Sequence, residues 1–227
     1  MSCRKVTNCG LEVTPIPHVA RIQAILAPRR PGRETDPMLA EDPRQPGWPG
    51  APLQAILLRM KAWDERLYRH ARLTAQLAVR AGEALGLSPE DRFPLVTGAL
   101  LHDAGKIFWP KEMSFKPRLA PADLEWIRSH PENGCRHVQA QWPQAPEATL
   151  TIIRQHHERP DGSGYPAGLT GRQIHPLASI VAALEAYAAM TEARAYRKHR
   201  LNHPEALREL LQDGHPAPLV NLIHAWV

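Results

Sequence analysis

Residues 176–191 read PLASIVAALEAYAAMT, and Glu185 is the only charged side chain among them. The segment opens on a proline, which favours the first helical position, and it has apolar side chains on every face of a helix. A helix that is apolar all round packs inside a protein rather than on its surface. Other helices must therefore surround this one, so the expected fold is all-α. The buried carboxylate of Glu185 then has three options: to be protonated, to pair with an arginine, or to lie beside a metal cation.

Outward from this segment, residues from Leu53 onward keep a helical period with few β-branched runs, and no strand is predicted. A helix from Ala62 to Leu85 lines up Leu67, Leu73, Leu77, Ala81 and Leu85 and closes at Gly86. Ser88-Pro89-Glu90-Asp91 reads as a capping start for a second helix that stops at Gly105. Further helices are expected from Pro121 to His130, stopped by Pro131, over residues 147–158, and from Pro204 to Gln212. Residues 1–50 differ in character: eight prolines and the turn pairs Pro31-Gly32, Pro46-Gly47 and Pro49-Gly50 mark a tail or linker, with a short helix at Val19–Leu26. This gives a Pro-rich tail over 1–52 and one domain over 53–227.

Composition narrows the function. Three cysteines, Cys3, Cys9 and Cys135, form no metal-ribbon spacing and no even set for a disulfide framework. The formal net charge of +5 favours phosphate-bearing partners, but the basic residues are scattered rather than clustered, which argues against a nucleic-acid polymer. No apolar run approaches the roughly 20 residues that span a bilayer, and MSCRKVTNCG lacks a secretory apolar core, so no membrane association and a cytoplasmic location are expected.

Histidines and carboxylates carry the chemistry. His70 lies on the apolar stripe of its helix; taken alone it also suits a satisfied core histidine. His102-Asp103 ends an apolar helix, where a buried aspartate needs a cation, and Gly105 lets Lys106 turn back to the same place. His130 could be a ligand, or could simply cap the carbonyls at a helix end. His156 and His157 point about 100° apart if helical, which suits two metal ions, and Glu158 follows to orient an imidazole or hold the loop. With Glu185, seven candidate ligands result: His70, His102, Asp103, His130, His156, His157 and Glu185. Imidazole mixed with carboxylate suits a transition metal, and seven donors exceed the four of one structural zinc site. Two ions together clamp a phosphate ester for in-line attack, which points to phosphoester hydrolysis.

In this order the segments HARLTAQLA (70–78), LLHDAGKIFWP (100–110), HPENG (130–134), HHERPDGSGYPAGLTG (156–171) and AMTEARAYRKHR (189–200) resemble the HD-GYP family, the cyclic di-GMP phosphodiesterase branch of the HD hydrolases. The resemblance covers roughly residues 53–212. It implies an HD-type bundle of about seven helices with a buried metal centre, and hydrolysis of cyclic di-GMP to pGpG and on to GMP. It puts the seven residues above at metal positions and makes Asp103 and Lys106 catalytic. Arg194 and Arg197 fall at substrate-phosphate positions, and Asp161, Gly162, Gly164, Tyr165 and Pro166 form the signature loop, with Tyr165 at the groove's rim. The implied cofactor is two transition metal ions, iron first, with manganese, nickel or zinc as alternatives; the implied partners are cyclic di-GMP and a GGDEF-type protein. The chain departs from the family pattern at Glu185 (usually aspartate), at Ala188 (usually aspartate) and at Arg66, where three-metal members carry glutamate. These departures keep two rival readings open: a degenerate module that binds the nucleotide or a partner without turnover, and an HD hydrolase of another nucleotide phosphoester.

Overall fold

The apolar segment is a helix over Pro176–Thr191, as expected, begun by the His175 side chain, whose Nδ1 accepts the Leu177 N–H at 3.2 Å. The computed structural model describes residues 50–116, 120–192 and 200–226. Among these the α-helices are α1 (Gly50–Trp63), α2 (Glu65–Ala84), α3 (Pro89–Leu101), α4 (Asp123–Gln141), α5 (Glu147–Gln155), α6 (Pro176–Thr191), α7 (His203–Gln212) and α8 (Ala217–His224). The bundle thus has eight described helices where about seven were expected. No strand occurs among the described residues beyond a single bridge between Asp161 and Thr170. None of the described helices is long and apolar enough to cross a membrane. The tail, including the helix expected at Val19–Leu26, lies outside the described residues except for residues 50–52, which belong to α1.

Helix α6 is the axis of the bundle. It packs against α2, α3, α5, α7 and α8, and Ile180, Val181, Leu184 and Ala188 are all buried along it. Burying a branched side chain of this kind stabilises the fold by roughly 1.5–3 kcal/mol, so the apolar character of α6 sets the core and fixes where Glu185 must lie.

Four expected boundaries need correction, each for a local reason. The helix expected over Ala62–Leu85 is two helices, because Asp64 adopts an extended backbone and its carboxylate accepts the Arg66 N–H at 2.8 Å, an N-cap that starts α2 afresh. Helix α3 ends at Leu101, not Gly105, and a tight 3-10 turn over Ala104–Phe108 follows. Gly105 is needed there for close approach: a Cβ would collide with the His130 carbonyl oxygen on α4. Pro131 does not stop its helix, which runs from Asp123 to Gln141, so His130 is an interior residue and not a terminal one. Helix α5 ends at Gln155, and His156 caps it.

The backbone contact at Gly105 holds the turn bearing Asp103 and Lys106 against α4. Gly105→Ala is expected to overpack this contact at a cost of about 1–3 kcal/mol. That corresponds to a melting temperature lower by roughly 3–10 °C for a domain of this size, measurable by circular dichroism.

Candidate metal centre

All seven candidate residues converge. Asp103, His130, His156 and His157 form one group and His70, His102 and Glu185 another, with the donor atoms of each group within 4.8 Å of one another. They come from α2, α4, α6 and the ends of α3 and α5, so no two neighbouring elements alone could build the site. Two carboxylates straddle the groups. Asp103 Oδ1 is 3.2 Å from His130 Nε2 and 3.9 Å from His156 Nε2, while its Oδ2 is 3.4 Å from His102 Nε2. Glu185 places Oε2 at 3.9 Å from His70 Nε2 and Oε1 at 3.8 Å from His157 Nδ1.

Three of the histidines are oriented by one device. The Nδ1–H of His102 donates to the Ala99 carbonyl at 2.8 Å, that of His130 to Ile127 at 2.6 Å and that of His156 to Ile153 at 2.8 Å. Each acceptor lies three residues before its histidine and is a carbonyl that the helix leaves free. Ala99 and Ile153 belong to the last turns of α3 and α5, whose carbonyls have no partner further along the helix. Ile127 is released by Pro131, which has no N–H to donate back four residues. The proline in α4 therefore creates the acceptor that sets the ring of His130.

With the proton held on Nδ1, each Nε2 presents a lone pair to the interior. His130 Nε2 and His156 Nε2 then face each other at 3.2 Å. Two acceptors at this distance repel unless a cation lies between them. His102 Nε2 and Asp103 Oδ1 are likewise buried without a hydrogen-bond partner, and such groups are costly unless paired. The residues present fit a metal ion.

Electrostatics point the same way for His130, His156 and His157. Burial, reinforced by the charges of neighbouring histidines, holds His156 and His157 well below the ordinary imidazole range, so both are neutral at neutral pH. Burial also lowers His130, against the opposing pull of Asp103. For His102 burial opposes protonation, yet Asp103 and Glu185 outweigh it and push the imidazole up. Burial disfavours the Asp103 anion, but Lys106 and His102 hold the carboxyl well below its usual range. Lys106 Nζ donates to Asp103 Oδ2 at 2.6 Å from a half-buried position.

The loop over 156–171 closes one side. Gly162 takes a positive φ of 81°, and Gly164 runs so close to the backbone of residues 157–159 that a Cβ would clash there. Asp161 accepts from the Ser163 N–H and hydroxyl, closing the turn. Tyr165, half-buried, stacks its ring on His157 with centroids 4.6 Å apart, followed by a cis bond to Pro166. Arg194 and Arg197 lie outside the described residues.

Two residues near the site carry more than the sequence conveyed. Glu158, buried to 3% exposure, accepts the Ala167 N–H at 2.7 Å and the Leu169 N–H at 2.9 Å, so it pins the loop rather than an imidazole. Glu192, unnoticed in the sequence because it follows an apolar helix as an ordinary surface-type residue, places Oε2 2.8 Å from His70 Nδ1.

Comparison with known proteins adds the family. The HD domain family matches residues 56–215. The cyclic di-GMP phosphodiesterase PA4108 of Pseudomonas aeruginosa is 36% identical over 170 residues, which are 72% of this chain and 40% of that protein. The 3'3'-cGAMP-specific phosphodiesterase 1 of Vibrio cholerae is 34% identical over 57% of this chain and 30% of its own length. The chain thus spans less than half of these relatives. Among solved structures, Bd1817, an HDG"Y"P protein from Bdellovibrio bacteriovorus, matches with a TM-score of 0.57 and 25% identity, covering 77% of this chain and 60% of that one.

Glu185 and Glu158 separate two roles. Glu185→Ala is expected to lower the metal content more than Glu158→Ala does, because the group of His70 and His102 loses its carboxylate. Glu158→Ala is expected to keep the metal and speed hydrogen exchange at the Ala167 and Leu169 N–H groups, which lose their acceptor; elemental analysis and hydrogen exchange read the two outcomes.

Proposed function

The chain belongs to the HD domain family, in its HD-GYP branch, and on that premise we propose that it is a metal-dependent phosphodiesterase opening cyclic di-GMP to pGpG and on to GMP. The observation that carries the reading is the pair of Nε2 lone pairs of His130 and His156 facing each other at 3.2 Å within a buried cluster of carboxylates. Such an arrangement is unfavourable as packing and favourable as a metal centre. Asp103, His130, His156 and His157 would hold one ion, and His70, His102 and Glu185 a second. Iron is the first choice for this donor set, with manganese, nickel and zinc as alternatives. When bound, the two ions supply Lewis-acid polarisation of a phosphoryl oxygen and a nucleophile from water at neutral pH.

The chain's own residues do the rest. Asp103 offers one oxygen to each group and keeps them in register. Lys106, half-buried beside it, brings a cation to where phosphate charge develops. Arg194 and Arg197 are proposed to take the non-bridging phosphate oxygens, which a planar guanidinium suits. Tyr165, stacked on His157, shields that side from water, and the Asp161–Pro166 loop is the surface proposed for a GGDEF-type partner. Arg66 argues for two ions and not three: it has no lone pair to give, and it is engaged with Asp64 at 2.9 Å and the Ser114 carbonyl at 2.7 Å. The functional domain is proposed to start at α1, with the Pro-rich tail before it.

A second reading, a binding module without turnover, is favoured by two departures in α6. Glu185 is one methylene longer than aspartate, and Ala188, fully buried, carries no polar group. The deciding experiment is anaerobic loading of the full chain with Fe(II) or Mn(II), followed by incubation with cyclic di-GMP, 3'3'-cGAMP and a panel of other phosphoesters. The expected result is pGpG from cyclic di-GMP, reduced about a hundredfold or more by Asp103→Ala, given the several kcal/mol that metal-assisted attack supplies. Metal-loaded protein that binds cyclic di-GMP without turning it over would establish the second reading. Turnover of another member of the panel alone would reassign the substrate.

A further inference from the structure

His70 poses a problem that the other oriented histidines do not. It lies in the interior of α2, which runs unbroken from Glu65 to Ala84. The carbonyl three residues before it, that of Leu67, is committed to the helix's own hydrogen-bond ladder. No helix end and no proline frees an acceptor there, so the Nδ1 of His70 needs one from elsewhere.

Glu192 supplies it. Helix α6 ends at Thr191, and Glu192 turns extended (φ −74°, ψ 148°) while its N–H still bonds back to the Ala188 carbonyl at 2.9 Å. The turn brings its carboxylate across to α2, with Oε2 2.8 Å from His70 Nδ1; the side chains are 24% and 8% exposed. The opposite nitrogen, Nε2, is left facing Glu185, with the His102 ring 5.4 Å away.

We propose that Glu192 is a positioning residue that holds the proton on His70 Nδ1 and so aims the Nε2 lone pair at the second metal group. This rests on the two-ion centre proposed above and adds an asymmetry to it. His102, His130 and His156 are held by neutral carbonyls, whereas His70 is held by a carboxylate. A carboxylate behind an imidazole raises its basicity as a ligand, and removing such a partner typically weakens metal binding by about 10–100-fold. Apart from the oxygen that Asp103 turns toward it, the group of His70, His102 and Glu185 has three donors of its own against four in the other, so it depends more on the strength of each.

The test is a Mn(II) binding titration on the full-length, metal-stripped chain, comparing wild type with Glu192→Ala and Glu192→Gln. Wild type is expected to bind two ions. Glu192→Ala should weaken one of them by about 10–100-fold and leave the other unchanged. Glu192→Gln, which keeps an acceptor oxygen but not the charge, should fall between. The melting temperature of the metal-free protein should move by no more than about 2 °C, as for a partly exposed substitution. Wild-type affinity for both ions in both variants overturns the inference and leaves the two-ion reading intact. Equal weakening of both ions together with a lower metal-free melting temperature also overturns it, because that is the signature of a structural role. Fewer than two ions bound by wild type overturns the two-ion reading itself, and the inference with it.

Discussion

The constraint on which the rest depends is that a buried imidazole able to present a lone pair inward must give its proton to something else. In water this is trivial; inside a helical bundle almost every acceptor is already used by the backbone ladder. The protein meets the constraint for three of its histidines by taking them from places where the ladder is broken. His102 and His156 come from the ends of α3 and α5, and His130 from beside a proline that interrupts α4. The arrangement of the helices around α6 then follows: those breaks have to meet at one point, next to the carboxylate that α6 delivers from the middle of the core.

Much of this was legible in the sequence, for physical reasons that can be named. The bounds of α6 followed from a run so apolar that no surface position could hold it, and α7 followed from its proline and amphipathic spacing, with an Asn202–Glu205 capping box confirming the start. The candidate residues stood out because each is a polar group at a position where the pattern demands burial. Other features were illegible because they depend on partners distant in sequence. The break at Asp64 looks like a helix interior until its carboxylate is seen on the Arg66 N–H, and Gly105 looks like a helix stop until α4 is seen lying against it. Pro131 misled most, since proline more often ends a helix than bends to its hydrogen-bond economy.

Carboxylates divided in the same way. Asp103 and Glu185 could be picked out, but that each would place one oxygen toward each group is a matter of tertiary geometry. For Glu158 the sequence leaves two roles open, an imidazole or the loop, and Glu192, just past an apolar helix, carries no sign of a partner on another helix. One pins the signature loop through two backbone N–H groups, and the other reaches back to α2. The charged residues around this site thus act in two tiers: those with oxygens facing inward, and those that fix where the inward groups point.

Pro131 has an implication for any effort to make this protein more robust. Judged by helix propensity it is the worst residue in α4, roughly 3 kcal/mol below alanine in a helix interior, and a stability-guided redesign would replace it first. Any other residue would restore an N–H that competes for the Ile127 carbonyl and so loosens the ring of His130. The sturdier helix would hold a less ordered histidine, so here conformational economy and chemical competence pull in opposite directions at a single backbone atom.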